Sequence, residues 1–147
     1  MLQRTDEYFM REALKEAEKA AQEGEVPVGA VVVVQDRIIA RAHNQVERLQ
    51  DATAHAEVLA LTSAFNYVGG KYLPTATLYV TLEPCCMCAG AAYWAQLGRL
   101  VFGARDPQRG YTTVGKPLLH PRTAIAGPVL AQEAAQLLTN FFQWLRS

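Results

Sequence analysis

The chain has 147 residues, of which 50% are apolar and 19% are charged, and its 14 basic and 14 acidic side chains give a net charge of zero. This composition is typical of a globular protein and excludes a disordered tail, and the length predicts a single domain over residues 1–147. Charged residues interrupt every apolar run before it reaches the roughly 18 residues of a membrane helix, so no membrane contact is expected.

The first elements along the chain are predicted to be a helix and a β-hairpin. Residues 5–23 carry an apolar stripe at helical spacing, with Thr5 as the capping candidate. The β-branched run Val28–Val34 indicates a strand buried on both faces, and Arg37–His43 indicates a second strand. The Gln-Asp pair between the two runs favours a turn, so the two strands are predicted to pair as a hairpin.

The middle of the chain is predicted to continue as helix, strand and helix. Ala54–Phe65 has helical periodicity, and Asp51 and Thr53 are candidates for capping its first turn. Ala76–Leu82 is predicted to be the third strand. Pro84–Gln96 is predicted to be the third helix, since proline is tolerated in the first helical turn.

The last third of the chain is predicted to contain two more strands and a final amphipathic helix. The fourth strand is Arg99–Gly103, and Ala104–Pro128 is mostly loop, with one helical turn near Leu118-Leu119. Thr123–Leu130 is predicted as a fifth strand, and Ala131–Leu145 as the last helix. A hairpin followed by alternating helices and strands indicates an α/β fold with three layers, α/β/α, and a mixed sheet of about five strands.

All three cysteines lie within four positions, at Cys85, Cys86 and Cys88, and cannot link distant parts of the fold. A disulfide framework is therefore excluded, and a reducing, cytoplasmic location is expected. Cys85 and Cys88 are three residues apart at the start of a predicted helix, so their sulfurs lie on the same side. Cys86 and Met87 are expected to be buried in the core.

A second short segment, Thr53-Ala54-His55-Ala56-Glu57, also lies at the start of a predicted helix and offers His55 as a third metal ligand. Structural zinc sites have four protein ligands, whereas catalytic sites have three and keep one position for water. His43 and His120 have no partner at ligand spacing, so the count stops at three. Glu57 is close enough to contact a water on the metal. We therefore expect one catalytic Zn²⁺ per chain, with a structural zinc site and a redox pair as the alternatives.

These two segments together resemble the His-x-Glu and Pro-Cys-x-x-Cys motifs of the zinc-dependent cytidine and deoxycytidylate deaminases. Within that superfamily, the chain is most similar to the bacterial tRNA adenosine deaminases. The similarity extends through nearly the whole chain and includes the stretches Glu25–Val31, Asp51–Glu57, Thr77–Cys85, Met87–Ala91 and Val101–Asp106. The resemblance implies a cytidine-deaminase-like fold and the hydrolytic deamination of adenosine to inosine in tRNA, at the anticodon wobble position.

The resemblance also implies a role for each site residue. The implied zinc ligands are His55, Cys85 and Cys88, the implied proton shuttle is Glu57, and the implied substrate contacts are Asn44, the backbone of Ala56, and Asp106. From its position alone, Asn44 is better interpreted as a loop residue at a strand end, and Asp106 could equally be a turn residue. The implied partners are the anticodon stem-loop of tRNA and a second copy of the chain, with no organic cofactor. An apolar surface on the helix Cys88–Leu97 would be compatible with a homodimer.

Two alternatives stay open. The stretch Ala91–Ala95 is more similar to bacterial guanine deaminases, so a free guanine or nucleoside deaminase is the rival enzyme. A zinc-stabilised binding module is the rival outside catalysis, and Glu57 would be dispensable in it. For an RNA substrate, the basic surplus of residues 99–147 would supply the phosphate contacts. The candidates are Arg99, Arg105, Arg109, Lys116 and Arg122.

Overall fold

A mixed five-stranded sheet separates two layers of helices in the computed structural model, which describes residues 3–147. The strands are β1 (Gly29–Val34), β2 (Arg37–His43), β3 (Thr77–Leu82), β4 (Arg99–Ala104) and β5 (Ala124–Ala126). Their order across the sheet is β2-β1-β3-β4-β5. β1 is antiparallel to both of its neighbours, and β3, β4 and β5 are parallel to one another.

The helices cover both faces of this sheet, as the three-layer prediction requires. They are α1 (Asp6–Gln22), α2 (Val46–Leu49), α3 (Ala56–Val68), α4 (Cys86–Trp94) and α5 (Ala131–Arg146), with a 3₁₀ turn at Tyr111–Val114. Along β1, Val31 and Val33 pack with α1, whereas Val32 packs with α3 and α4. This alternation places one core on each face of the sheet and confirms the predicted fold class. Within residues 3–147, no helix combines the length and the apolar composition needed to cross a membrane.

The hairpin forms as predicted. β1 and β2 are joined by Gln35 and Asp36, whose φ values of 50° and 63° are those of a two-residue hairpin turn. The register shifts between Val32, which pairs with Ala40, and Val33, which pairs with Ile38, so the strand pair contains a bulge. Bulges increase the local twist of a strand pair.

Helix α1 begins as the sequence predicts, because the Thr5 side chain accepts a hydrogen bond of 3.1 Å from the backbone N–H of Tyr8. The helix passes very close to the start of β1. A Cβ atom at Gly29 would lie 2.1 Å from the carbonyl oxygen of Ala13 and 2.4 Å from the nitrogen of Ala17. Only glycine therefore permits α1 to pack at this distance from the sheet.

Both central helices start later than predicted. Asp51 and Thr53 do not cap α3; their side chains hydrogen-bond to each other at 2.7 Å, and the N-cap is His55. Pro84 is not in the first turn of α4, because the N-cap is Cys85. In both cases, the residue at the helix start is a predicted metal ligand, which a search for ordinary capping residues cannot find.

The segment after β4 also differs from the prediction. Its helical turn is at Tyr111–Val114 rather than near Leu118-Leu119, and β5 has three residues where Thr123–Leu130 was expected. The four-residue helix α2 was not predicted at all. These short elements depend on contacts with distant residues, which local sequence patterns do not contain.

Candidate metal centre and substrate cavity

The three predicted metal ligands meet where α3 and α4 begin. His55 and Cys85 are the N-cap residues of the two helices, and neither side chain makes a capping hydrogen bond. Cys88 lies in the first turn of α4, on the same side as Cys85. The two positions that usually carry Ser, Thr, Asp or Asn thus present an imidazole and a thiol to a common point.

The spacing of these side chains fits a zinc ion. The Nδ1 atom of His55 lies 3.7 Å from the sulfur of Cys85 and 3.5 Å from that of Cys88, and all three ligand atoms lie within 4.8 Å of one another. Tetrahedral zinc, with bonds of about 2.3 Å to sulfur and 2.0–2.1 Å to nitrogen, requires sulfur–nitrogen separations of about 3.6 Å. Within residues 3–147, no fourth Cys, His, Asp or Glu joins the group, so one coordination position is left for a small molecule.

The charges around the three ligands favour a cation. Hydrogen bonds from Cys88 and His55 lower the pKa of Cys85 to about 3, so this side chain is a thiolate at neutral pH. The neighbouring Glu57 is only 4% exposed, and this burial raises its pKa to about 7. A divalent cation bound here would stabilise both the thiolate and the ionised form of the buried carboxyl.

A cavity of about 470 Å³ opens beside the three ligands. Its volume lies within the range of about 300–1,000 Å³ that is usual for small-molecule sites. The lining comes from five parts of the chain: residues 24–28, residues 44–57, residues 82–85, Asp106 with Arg109, and Phe141 with Leu145 of α5. The cavity therefore brings together all the site residues that the sequence predicts except Cys88, which is buried behind it.

Asn44 directly follows β2 and is held in a fixed orientation. Its Nδ2 donates to the carbonyl of Val26 at 3.2 Å, and its Oδ1 accepts from the backbone N–H of Val46 at 3.3 Å. One proton of Nδ2 and one lone pair of Oδ1 remain beyond these two bonds. Asn44 is thus both the loop residue of the sequence alternative and a polar group on the cavity wall.

Asp106 forms the turn that its position predicts and also lies on the cavity wall. Its Oδ1 accepts from the backbone N–H groups of Gln108 and Arg109 at 3.1 and 3.0 Å, as an aspartate in a turn does. Its own N–H donates to the buried carboxylate of Glu83. It also lines the cavity. The turn interpretation is correct for its hydrogen bonds, and the position is compatible with a substrate contact.

Glu83 organises the loop that follows β4. It is 3% exposed and accepts hydrogen bonds from the N–H of Asp106 and from both the N–H and the hydroxyl of Thr112. Burial by itself would raise the pKa of Glu83, but the bonds from Thr112 and Asp106 lower it below its usual value. Gly110 is packed against the same carboxylate, where a Cβ atom would overlap it. The wall that carries Asp106 is therefore fixed next to the ligand Cys85.

Three expectations about individual side chains are wrong. Cys86 and Met87 are exposed rather than buried, because they lie on the turn of α4 that faces away from the sheet. Arg99 is not available for phosphate, since its guanidinium forms two hydrogen bonds of 2.7 and 2.8 Å with Asp6. The other basic candidates, Arg105, Arg109, Lys116 and Arg122, are exposed.

Sequence reasoning also missed residues that shape the cavity. Glu25 and Glu83 are buried carboxylates on two of its walls, and Phe141 and Leu145 contribute the end of α5. The signal for the two glutamates was a charged residue beside a buried strand, Glu25 shortly before β1 and Glu83 directly after β3. Nothing in the sequence indicated that the last helix returns to the start of α3.

Known proteins are similar to this chain in sequence and in architecture. Residues 3–104 match the family model of the cytidine and deoxycytidylate deaminase zinc-binding region. The chain is 47% identical over 147 residues to the tRNA-specific adenosine deaminase of Bacillus subtilis (strain 168), which covers 96% of this chain and 91% of the relative.

Two solved structures can be compared in the same way. One, from work on A-to-I editing by tRNA:A34 deaminases at the wobble position of transfer RNA, has a TM-score of 0.83 and 41% identity and covers 89% of this chain and 99% of that chain. The guanine deaminase from Bacillus subtilis has a TM-score of 0.68 and 28% identity, over 98% of this chain and 96% of its own. The fold is thus shared by both kinds of enzyme, and the identity is higher with the first.

The metal content of the purified protein tests the ligand set. We expect about one zinc per chain, and we expect Cys85→Ala, Cys88→Ala and His55→Ala each to lose it, because a three-ligand site has no spare ligand. Cys86→Ala is the matched control and should retain zinc, since its exposed side chain faces away from the site. Atomic absorption after dialysis measures the zinc content of the wild type and of each variant. Loss of zinc from Cys86→Ala with retention in Cys88→Ala would contradict the assignment.

Proposed function

Because the chain belongs to the cytidine and deoxycytidylate deaminase family, we propose that it is a zinc-dependent hydrolase that converts adenosine to inosine in tRNA, at the wobble position of the anticodon. The observation that carries this proposal is the three-ligand group with one open position, placed beside a buried carboxyl at a cavity. The higher identity to tRNA deaminases than to a guanine deaminase supports adenosine in RNA as the substrate.

In the proposed mechanism, His55, Cys85 and Cys88 hold the zinc ion. When bound there, zinc supplies the Lewis-acid activation that lets water act as a nucleophile near neutral pH. With the ion bound, two thiolates and a neutral imidazole would balance its charge, and the pKa of Cys85 at the start of α4 is already lowered toward the thiolate form. A closed structural site is the weaker interpretation, since it needs a fourth ligand.

Glu57 carries the proton transfers in this proposal. Its carboxylate accepts a proton from the attacking water and donates it to N1 of the adenine ring, and it then transfers the proton of the new C6 hydroxyl to the departing amino group. The water oxygen bonds to C6, the bond from C6 to the amino nitrogen breaks, and ammonia leaves. One carboxyl group can act as base and then as acid because the proton stays within a pocket from which bulk water is excluded.

The remaining site residues would orient the base. The unused proton and lone pair of Asn44 suit the polar edge of a purine, and the backbone N–H of Ala56 has no partner within α3 because it is the first residue of that helix. Asp106 lies on another wall of the cavity, where a nucleotide next to the target would pass. A base reaches such a site only after it leaves its stack, which costs least in a loop.

Few phosphate contacts are expected from a chain with no net charge. Arg109 lines the cavity and is therefore close to the proposed substrate path, whereas the guanidinium of Arg105 lies over the ring of Phe102, 4.9 Å from its centroid. Loop bases and 2′-hydroxyls would then supply much of the specificity. We also propose a cytoplasmic location, where ligand thiols stay reduced.

We propose that the enzyme is a homodimer that associates through α4. The exposed side of this helix presents Met87, Tyr93 and Trp94, whose exposed fractions are 36, 39 and 77%. The ring of Tyr93 makes an edge-to-face contact with Trp94 at a centroid distance of 5.6 Å and a tilted contact with His120 at 5.4 Å. A contiguous apolar surface of this kind is typical of a protein–protein interface.

A charge in this patch should separate the two copies. We expect Trp94→Glu to sediment as a single chain where the wild type sediments as two, because the new carboxylate would be buried without a partner. Trp144→Glu is the matched control: Trp144 is 60% exposed on α5, away from the patch, and its substitution should leave the mass unchanged. A wild type that sediments as one chain contradicts the proposed dimer.

Removal of the Glu57 carboxylate should separate binding from chemistry. Glu57→Gln preserves side-chain volume at a buried position, so we expect it to retain zinc and RNA affinity and to lose turnover by at least about 10³-fold, the stronger range for one acid–base group. Glu7→Gln, at an exposed position of α1, is the control and should be fully active. A loss below about tenfold would remove Glu57 from the mechanism and favour a binding module.

The salt dependence of turnover identifies the substrate class. We expect inosine in an anticodon stem-loop, with an affinity that falls by about 0.7 logarithmic units per phosphate contact for each tenfold rise in salt. Arg109→Ala should remove one such contact. Arg37→Ala is the control and should leave the salt dependence unchanged, because Arg37 is at the start of β2, roughly 20 Å from the end of that strand beside the cavity. Ammonia from free guanine, with no inosine in RNA, would favour the guanine deaminase.

A further inference from the structure

The four-residue helix α2 forms part of the cavity wall but has little support of its own. None of its residues is buried, and Leu49 is 51% exposed. Its N-cap, Gln45, makes no side-chain capping bond and has φ −135° and ψ 30°, outside the extended conformation that such a cap normally needs. Helices of this length are not stable alone in water. Its position must therefore be fixed from another part of the chain.

The Glu25 carboxylate provides this support. Its Oε1 accepts a hydrogen bond of 3.0 Å from the backbone N–H of Glu47, and its Oε2 accepts one of 2.7 Å from that of Arg48. The side chain is 1% exposed, and no ion pair within residues 3–147 includes it. The two N–H groups are thus what stabilises a buried charge, and hydrogen bonds to a charged acceptor are stronger than neutral ones.

The two segments joined by Glu25 are also the two that orient Asn44. Residue 26, directly after Glu25, supplies the carbonyl that accepts from Nδ2 of Asn44. Val46, the first residue of α2, supplies the N–H that donates to its Oδ1. A shift of α2 relative to Glu25 would therefore rotate Asn44 or break one of its bonds. The metal ligands and Glu57 lie at the starts of α3 and α4, and the α2 segment reaches them through a hydrogen bond of 3.0 Å from the Gln45 N–H to the carbonyl of Ala54, the residue before His55.

We propose that Glu25 is a positioning residue for substrate recognition: its carboxylate holds α2 against the segment 25–28 and thereby fixes the orientation of Asn44 toward the base. The role of Asn44 rests on the proposed function, whereas the contact between Glu25 and α2 does not. An exposed ion pair of 3.4 Å between Glu23 and Arg48 also joins these segments. Such pairs contribute little because solvent screens them, so Glu25 is the main connection.

The test compares Glu25→Gln with Glu23→Gln as the matched control. In Glu25→Gln the side-chain amide can accept from only one of the two N–H groups and presents a donor to the other. We expect amide hydrogen exchange at Glu47 and Arg48 to accelerate by at least about tenfold, and KM for the stem-loop to rise by about tenfold, with kcat within about threefold of the wild type. Zinc content should not change. Glu23→Gln should resemble the wild type in all these measurements.

The outcomes separate this inference from the proposed function. Unchanged exchange at Glu47 and Arg48 in Glu25→Gln would overturn the support of α2, whatever the substrate is. Faster exchange with an unchanged KM would overturn the positioning role and leave Glu25 with a structural role only. A fall in kcat as large as the rise in KM would do the same. A wild type inactive on RNA would overturn the proposed function but not the exchange result. If Glu25→Gln does not fold, Glu25→Asp, which preserves the charge with a shorter reach, is measured with the same expectations.

Discussion

The site depends on one constraint: the N-termini of α3 and α4 must meet closely enough for His55 and the two cysteines to reach one ion. Both helices pack on the same face of the sheet through small side chains, which allow them to approach it and each other closely. These are Ala56, Ala60 and Ala64 of α3, and Ala89 and Ala92 of α4. Two of the three predicted ligands, His55 and Cys85, occupy the N-cap positions, so neither helix has its usual capping side chain, and a bound cation would stabilise the thiolate there.

Two of the cavity walls are irregular segments, and each is fixed by a buried carboxylate that accepts backbone N–H bonds. Glu83 holds residues 106–112, and Glu25 holds α2. Packing cannot hold α2, which buries none of its side chains, whereas residues 106–112 bury one large side chain, Tyr111. A carboxylate that accepts several hydrogen bonds defines the loop position more narrowly than apolar contact does, because both the direction and the length of each bond are constrained. The described residues contain no buried side-chain N or O atom without a partner.

The parts of this architecture that the sequence predicted are those with local signals. Thr5 caps α1, the run from Val28 gives a strand, and the spacing of Cys85 and Cys88 gives one side of a metal site. The sequence predictions were wrong where a residue type that commonly caps helices has a different role. Asp51 and Thr53 are of this type, but their side chains hydrogen-bond to each other, and the N-cap of α3 is the predicted metal ligand His55. Helix α2 was missed because the side chain that accepts from two of its first N–H groups is Glu25, more than twenty positions earlier in the sequence.

The number of charged residues around the cavity does not by itself describe its electrostatics. Five acidic residues and a single arginine line it, and this count alone predicts that a polyanion is repelled. The carboxylates of Glu25 and Glu83 accept hydrogen bonds from backbone N–H groups, which stabilise these charges without cancelling them, and Asp106 accepts from the turn that it forms. Glu57 faces the site of a divalent cation. Glu47, the fifth acidic residue, is exposed, and Arg109 is the basic lining residue that can contact an approaching phosphate of an RNA loop.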